Sequence, residues 1–287
     1  MLNFITWTVN PNLYEGFVTV RWYGLMFAIG FLVGYWIMHR IFRHEGAPEK
    51  WLGPLFFFVV IATVLGARLG HVFFYEWDHY SQHPGDILKI WEGGLSSHGG
   101  AIGLITASWL LNKYKYSRYP QYGTSWLWIL DRVCVGVCIT AMLIRLGNLF
   151  NSEIYGGPTD LPWGFIFVRD GQTVPCHPTQ IYEILYCFVA LCVVWPLYWH
   201  TEARRREGLL LGIFLEIIFI TRFCLEFIKN DQEAFEANHV LNMGQWLSLP
   251  FIALGIFLIV RAYMRPLSPV VDKQPESLEP KYRNQKK

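Results

Sequence analysis

The chain has 287 residues, of which 53% are hydrophobic and only 16% charged, where soluble domains carry roughly a quarter charged residues. Its net charge of +2 gives no basic field for nucleic acid, and the 17% aromatic content with 13 Trp suits rings seated at a membrane–water interface. A separate soluble domain is excluded, because long apolar runs follow one another with short polar gaps.

The first twenty residues lack a basic n-region and are broken by Asn10, Pro11, Asn12 and Glu15, so no cleavable signal peptide is expected. A membrane-crossing helix needs about 20 mostly apolar residues. Seven stretches meet that need, at 22–38, 52–75, 94–111, 125–143, 181–199, 209–228 and 244–264. They are continuous apolar runs without period-two alternation, which argues against a β-barrel. The longest connection, 147–179, holds Pro158, Pro162, Trp163 and Pro175 and predicts a folded cap. Residues 265–287 are rich in Pro and charge and predict a disordered tail.

Basic residues give the direction. Arg40, Arg43 and Lys50 follow the first span, Lys113, Lys115 and Arg118 the third, and Arg204, Arg205 and Arg206 the fifth. Six more lie in the tail, so fifteen of the 24 Lys and Arg fall on one side, and the other side keeps Arg21, Lys89, Arg169 and Lys229. The positive-inside rule then predicts an all-α integral membrane protein with its N-terminus outside and its C-terminus cytoplasmic, residues 1–264 forming one polytopic domain. Gly30/Gly34, Gly66/Gly70 and Gly99/Gly103 repeat the Gly-x-x-x-Gly spacing that lets helix backbones approach closely in lipid. Of the six cysteines, five lie in apolar segments and Cys176 in the long loop; without a C-x-x-C they read as small buried hydrophobes, and no metal is expected.

Arginines inside spans cost about 2.5–3.5 kcal/mol each on insertion scales and are functional candidates by default. With the predicted directions, Arg68, Arg145 and Arg222 fall in the outer halves of three spans, Ser96, Ser97 and His98 open a fourth, and Tyr23 opens the first. Guanidinium groups suit a phosphate, and the abundant anion at that depth is the lipid head group. His98 is the nearby group whose ordinary pKa suits a general base, and its Gly-rich flanks predict backbone shaped around a ligand. Other readings stay open: Arg68 pairing with Asp131 to join two helices, Asp131 and Arg132 as structural charges pointing apart, Arg222 and Glu226 as a simple i,i+4 ion pair, and His177 as an exposed loop histidine.

The stretch Arg145-Leu146-Gly147-Asn148-Leu149-Phe150-Asn151-Ser152-Glu153-Ile154-Tyr155-Gly156 resembles the signature of prolipoprotein diacylglyceryl transferases. Trp22-Tyr23-Gly24, Gly66-Ala67-Arg68, the segment from Gly93 to Gly100, His177-Pro178-Thr179-Gln180-Ile181-Tyr182-Glu183, Arg222-Phe223-Cys224-Leu225-Glu226 and Met243-Gly244-Gln245 resemble further blocks in order. Ile144, Leu149 and Ile218 depart from that family's usual Gly, Phe and Tyr. The resemblance implies transfer of the diacylglyceryl group of phosphatidylglycerol to the lipobox Cys thiol of an exported prolipoprotein's signal peptide, in a bacterial inner membrane, with glycerol 1-phosphate leaving and no cofactor. It implies His98, Arg145 and Arg222 as catalytic, with Tyr23, Arg68, Ser96, Asn148, Asn151, Glu153, Gly156 and Glu226 binding or orienting the head group. A transporter or channel for an anionic substrate is the main rival from another class. It predicts polar groups through the whole membrane depth, and the inner halves of the first, third and fifth spans are nearly free of charge.

Overall fold

The computed structural model describes residues 4–16, 19–90, 94–118, 124–229 and 241–268. Eight helices follow in chain order: α1 Trp22–Glu45, α2 Leu52–Phe74, a short α3 Trp77–Gln82, α4 Ser97–Tyr114, α5 Trp126–Phe150, α6 Thr179–His200, α7 Leu209–Leu225 and α8 Met243–Met264. Each of the seven long ones overlaps one of the seven apolar stretches, with α1 and α5 running seven residues past the predicted ends at 38 and 143. Five helical segments are long and apolar enough to cross a membrane: Trp22–Glu45, Glu49–Phe74, Trp126–Phe150, Thr179–His200 and Met243–Met264. The chain is therefore an all-α, multi-pass membrane protein. α4 is diluted by its Ser-Gly-rich start, and the 17 residues of α7 rise roughly 26 Å at 1.5 Å each.

α5 is the central helix: 61% of its apolar stretch is buried, against 22–28% in the other four. Antiparallel neighbours pack closely where the glycines predict. Gly66 and Gly70 of α2 lie against Gly99 and Gly103 of α4 so tightly that a Cβ on any of them would strike the partner's backbone. Gly30 and Gly34 of α1 face Thr140 and Gly136 of α5, where the Thr140 hydroxyl donates to the Gly30 carbonyl at 2.9 Å. Large apolar side chains such as Leu32, Phe57, Leu65, Phe188 and Phe257 are exposed around the outside, a contiguous lipid-facing surface of a kind soluble monomers rarely carry. Cys192 and Cys224 lie on this exposed surface, so only Cys134, Cys138, Cys176 and Cys187 follow the buried-hydrophobe reading.

α1 runs to Glu45, past the predicted end at residue 38, because Ile41 and Phe42 remain fully buried on its inner face. The Glu45 carboxylate then accepts from Trp128 Nε1 at 2.8 Å, Arg132 Nε at 3.0 Å and the Tyr198 hydroxyl at 2.7 Å. Asp131, fully buried, accepts from the amides of Gly208 at 2.7 Å and Leu211 at 2.8 Å. It thereby satisfies orphan donors at the start of α7. Asp131 is thus not the partner of Arg68. The long Arg132 side chain also curls back to place Nη1 3.7 Å from Asp131, so the adjacent pair does not point apart.

Residues 147–179 fold against the N-terminal strands. Strand β1 (Ile5–Trp7) pairs in parallel with β4 (Phe165–Phe167), while β2 (Asn12–Tyr14) and β3 (Val20–Arg21) form a hairpin ahead of α1. Leu149, Phe165, Phe167 and Cys176 make a small core there, and Trp7 Nε1 donates to the Leu149 carbonyl at 3.0 Å. Cys176, a loop residue by sequence, is consequently buried, and burial raises its thiol pKa. His177 is half-buried rather than exposed, with Nδ1 3.2 Å from the Tyr182 hydroxyl. The tail beyond 268 lies outside the described residues.

Candidate active site

The starts of α1, α4, α6 and α8 and the ends of α2, α5 and α7 share one end of the bundle, and the costly polar groups gather there. Arg145, in the last turns of α5, sets Nε against a carboxylate oxygen of Glu183, the fifth residue of α6. The other oxygen of Glu183 takes Lys229 Nζ at 2.7 Å and has Arg222 Nη1 at 3.9 Å. Arg222 Nη2 reaches Glu226 one turn on at 3.1 Å, and Lys229 reaches the same oxygen at 3.2 Å. The i,i+4 pair is therefore real, but it is one edge of a five-membered cluster. Among the described residues three cations pair directly with two carboxylates, and a third carboxylate, Glu153, is joined to Arg145 only through Asn148. Glu183 is fully buried, and Arg222, Glu226 and Lys229 nearly so. At such depth Coulomb forces are much less screened than in water.

A chain of amides extends the cluster. Arg145 Nη1 donates to Asn148 Oδ1 at 3.1 Å, and Asn148 Nδ2 and Asn151 Nδ2 donate to Glu153 at 2.6 and 3.2 Å. Glu153 sits between Ser152 (φ 56°) and Ile154 (φ 60°), both left-handed. For a β-branched residue this is a strained conformation of the kind that collects at functional sites. The turn is held by α6, whose Thr179 hydroxyl and Gln180 side-chain amide donate to the carbonyls of Ile154 at 2.7 Å and Glu153 at 2.5 Å. Tyr23 packs on Gly147, where a Cβ would lie 3.0 Å from the Tyr23 backbone. Gly156 leaves no room for a side chain between Ile228, His177 and Thr179, and it forms a β-bridge with Lys229.

His98 stands apart from this hydrogen-bonded chain. It is buried in the first turn of α4, with ring centroids 5.7 and 6.0 Å from Phe219 and Phe251. Phe219 precedes Arg222 by three residues, so the imidazole packs on α7 roughly 4.5 Å before Arg222 at 1.5 Å per residue. Ser248 gives its hydroxyl proton to the Gly244 carbonyl at 2.6 Å and so faces His98 Nε2, 3.5 Å away, as an acceptor. That arrangement favours the Nε2–H tautomer and leaves Nδ1, which has no partner among the described residues, as a bare acceptor.

Arg68 and Ser96 have their own partners, outside this cluster. Arg68 donates to the carbonyls of Ile87 at 2.9 Å, Asp86 at 2.6 Å and Gly94 at 3.3 Å, and lies over the Tyr80 ring. Ser96 caps α4 by accepting from the Gly99 amide at 3.4 Å, and its own amide donates to Ala67 at 2.9 Å. Both residues fix the loop that leads into His98. Residues 91–93, at the start of the Gly-rich motif, lie outside the described residues.

A family model described as prolipoprotein diacylglyceryl transferase matches residues 11–261. The chain belongs to the prolipoprotein diacylglyceryl transferase family. Relatives named phosphatidylglycerol–prolipoprotein diacylglyceryl transferase include one from Porphyromonas gingivalis, 48% identical over 92% of this chain and 97% of its own length. Those from Chloroherpeton thalassium and Tolumonas auensis are each 44% identical, over 91% and 88% of this chain and 95% and 96% of theirs.

Within this family member the sequence reading missed Glu183, Lys229, Gln180 and Ser248. The first had a visible signal: Glu183 is a carboxylate inside a predicted span, and intramembrane ionisable residues are functional candidates whatever their sign. Lys229 lies one residue beyond the predicted sixth span, where it passed for an ordinary outer-side charge. Gln180 and Ser248 carry no charge, and polar residues of that kind are too common in helices to stand out by sequence.

Proposed function

We propose that the protein transfers the diacylglyceryl group of phosphatidylglycerol to the lipobox cysteine thiol of prolipoproteins. Seven helices would span a bacterial inner membrane, with the N-terminus outside, residues 265–287 cytoplasmic, and residues 147–179 capping a site at outer-leaflet depth. The names of the relatives, the charge asymmetry of the loops and the gathering of polar groups at one end of the bundle support this reading.

In this proposal the thiol sulfur bonds to the glycerol carbon that carries the phosphate ester. The carbon–oxygen bond breaks, its electron pair stays with the phosphate oxygen, and glycerol 1-phosphate departs. A thiol of pKa about 8.5 is a weak nucleophile until deprotonated, and His98 Nδ1 accepts that proton. Arg145 and Arg222 grip the phosphate and stabilise the charge growing on the leaving group, a preorganised electrostatic role. Lys229 adds a third cation. Tyr23, Asn148, Asn151, Glu153, Gly156 and Glu226 orient the arginines or the head group, and Arg68 and Ser96 act through the loop before His98.

One observation carries the proposal: two arginines on different helices meet at one buried carboxylate, with a third cation, Lys229, beside them. Purified protein incubated with phosphatidylglycerol and a lipobox peptide is expected to raise the peptide's mass by one diacylglyceryl group. No mass change would refute the reading. His98→Gln is expected to lower turnover by about 10²–10⁴-fold, the usual worth of a general base. Near-normal turnover would leave an electrostatic mechanism without that base.

A further inference from the structure

We infer that Glu183 is a positioning residue, a buried carboxylate that sets the guanidinium groups of Arg145 and Arg222 and the ammonium of Lys229 around one point. The inference rests on the transferase reading above and adds a residue to it. Glu183 is the only carboxylate among the described residues that touches all three cations. They come from α5, from α7 and from the segment after α7, so no single backbone element relates them to one another. Glu183 itself is tied down, because the preceding residues Thr179 and Gln180 are fully buried and bonded to the turn around Glu153.

The direction of approach gives the contact its purpose. Glu183 pairs with Arg145 on its Nε side, and Asn148 takes Nη1. Arg222 meets Glu183 and Glu226 through its two Nη atoms and keeps Nε unpaired. These ion pairs set where each guanidinium lies, and Arg222 Nε, buried without a hydrogen-bond partner among the described residues, remains a donor for a phosphate oxygen. Glu183 does not need to touch the substrate. It converts three flexible side chains into one prearranged anion cradle, and the benefit appears where geometry is most demanding, in the transition state.

Glu183→Asp tests this, because it keeps the charge and withdraws the carboxylate by about 1.5 Å, one carbon–carbon bond. Initial rates would be measured with phosphatidylglycerol in detergent micelles and a lipobox peptide, normalised to folded enzyme, with thermal stability followed in parallel. The expectation is a melting temperature close to that of the parent, a kcat lower by about 30- to 100-fold and a KM for phosphatidylglycerol altered less than about threefold, since a misplacement near 1 Å costs that order in rate. Glu183→Gln, which also removes the charge, is expected to lose at least as much kcat if it folds. Parental kcat in Glu183→Asp, or a loss accounted for by the unfolded fraction or by KM alone, would overturn the inference. Failure of the parent protein to transfer lipid would instead overturn the transferase reading, so the two failures are told apart by the control.

Discussion

Two buried ionic clusters occupy opposite ends of the bundle, and they differ in the balance of cations to carboxylates that pair directly. At one end Glu45 accepts from Trp128, Arg132 and Tyr198, and Asp131 accepts from the backbone of Gly208 and Leu211. One guanidinium there faces two carboxylates, and each carboxylate is taken up by donors of the protein. At the other end three cations face two carboxylates, and Arg222 Nε, His98 Nδ1 and Asn151 Oδ1 are buried without partners among the described residues. The first cluster joins α1, α5 and α6 and starts α7. Burial alone does not separate the two, and neither do unmet hydrogen bonds, since Arg132 Nη1 is buried without one as well; the ratio of cations to carboxylates among the directly paired groups does.

The largest expected contrast comes from removing one arginine at each end. Arg145→Gln or Arg222→Gln should cut lipid transfer about 10²–10³-fold or more, as loss of one oxyanion-stabilising donor does. Arg132→Gln should instead act on stability, because breaking a buried pair costs about 3–5 kcal/mol. Thermal inactivation in detergent should therefore begin at lower temperature, while kcat per folded molecule stays within about twofold, the scatter expected for a site away from the chemistry. If Arg132→Gln lost kcat as Arg145→Gln does, the division between the two ends would fail.

Which part of this was legible beforehand follows from what one dimension can carry. Apolar run length located the long helices, and glycine spacing marked the α2–α4 and α1–α5 contacts. Depth along each helix brought Arg145 and Arg222 to one level. The direction a side chain points around its helix, and hence its partner, was not legible. Arg68 was weighed as a partner of Asp131, although the two lie at opposite ends. Glu183 carries the sign opposite to the cations that suit a phosphate, so nothing in a one-dimensional pattern ties it to them. Helix α1 extends past residue 38 because Glu45 has three donors waiting for it.

A middle-sized effect is expected at Arg68, which sharpens the boundary between binding and support. Its bonds to the carbonyls of Asp86, Ile87 and Gly94 hold the loop that enters α4 ahead of His98. Hydrogen bonds from a charged group are worth about 1.5–3 kcal/mol each, so Arg68→Gln should loosen that loop. A fall in kcat of about tenfold with little change in KM for phosphatidylglycerol would place Arg68 in support of His98, given that an unchanged KM marks an interaction made after ground-state binding. A rise in KM with kcat preserved would instead put its guanidinium on the lipid phosphate.

The smallest effect is expected at Cys176, and its smallness is informative because the proposed reaction itself uses a thiol. Cys176 lies in the small core under residues 147–179, against Phe165 and Phe167, and burial raises its pKa. A raised thiol pKa means that the protonated form persists to higher pH than for a free cysteine, so little thiolate is present near neutrality. Cys176→Ala should change kcat less than about twofold, because a small buried side chain can be replaced by another with modest repacking. A water-soluble maleimide at pH 7 should leave Cys176 unlabelled in the folded protein, with labelling appearing on unfolding. Rapid labelling of the folded protein would show that this core opens. Residues 147–179 would then be a moving lid over the Arg145–Glu183 cluster, and the firm anchoring that Trp7 and β1 give them here would not describe the working enzyme.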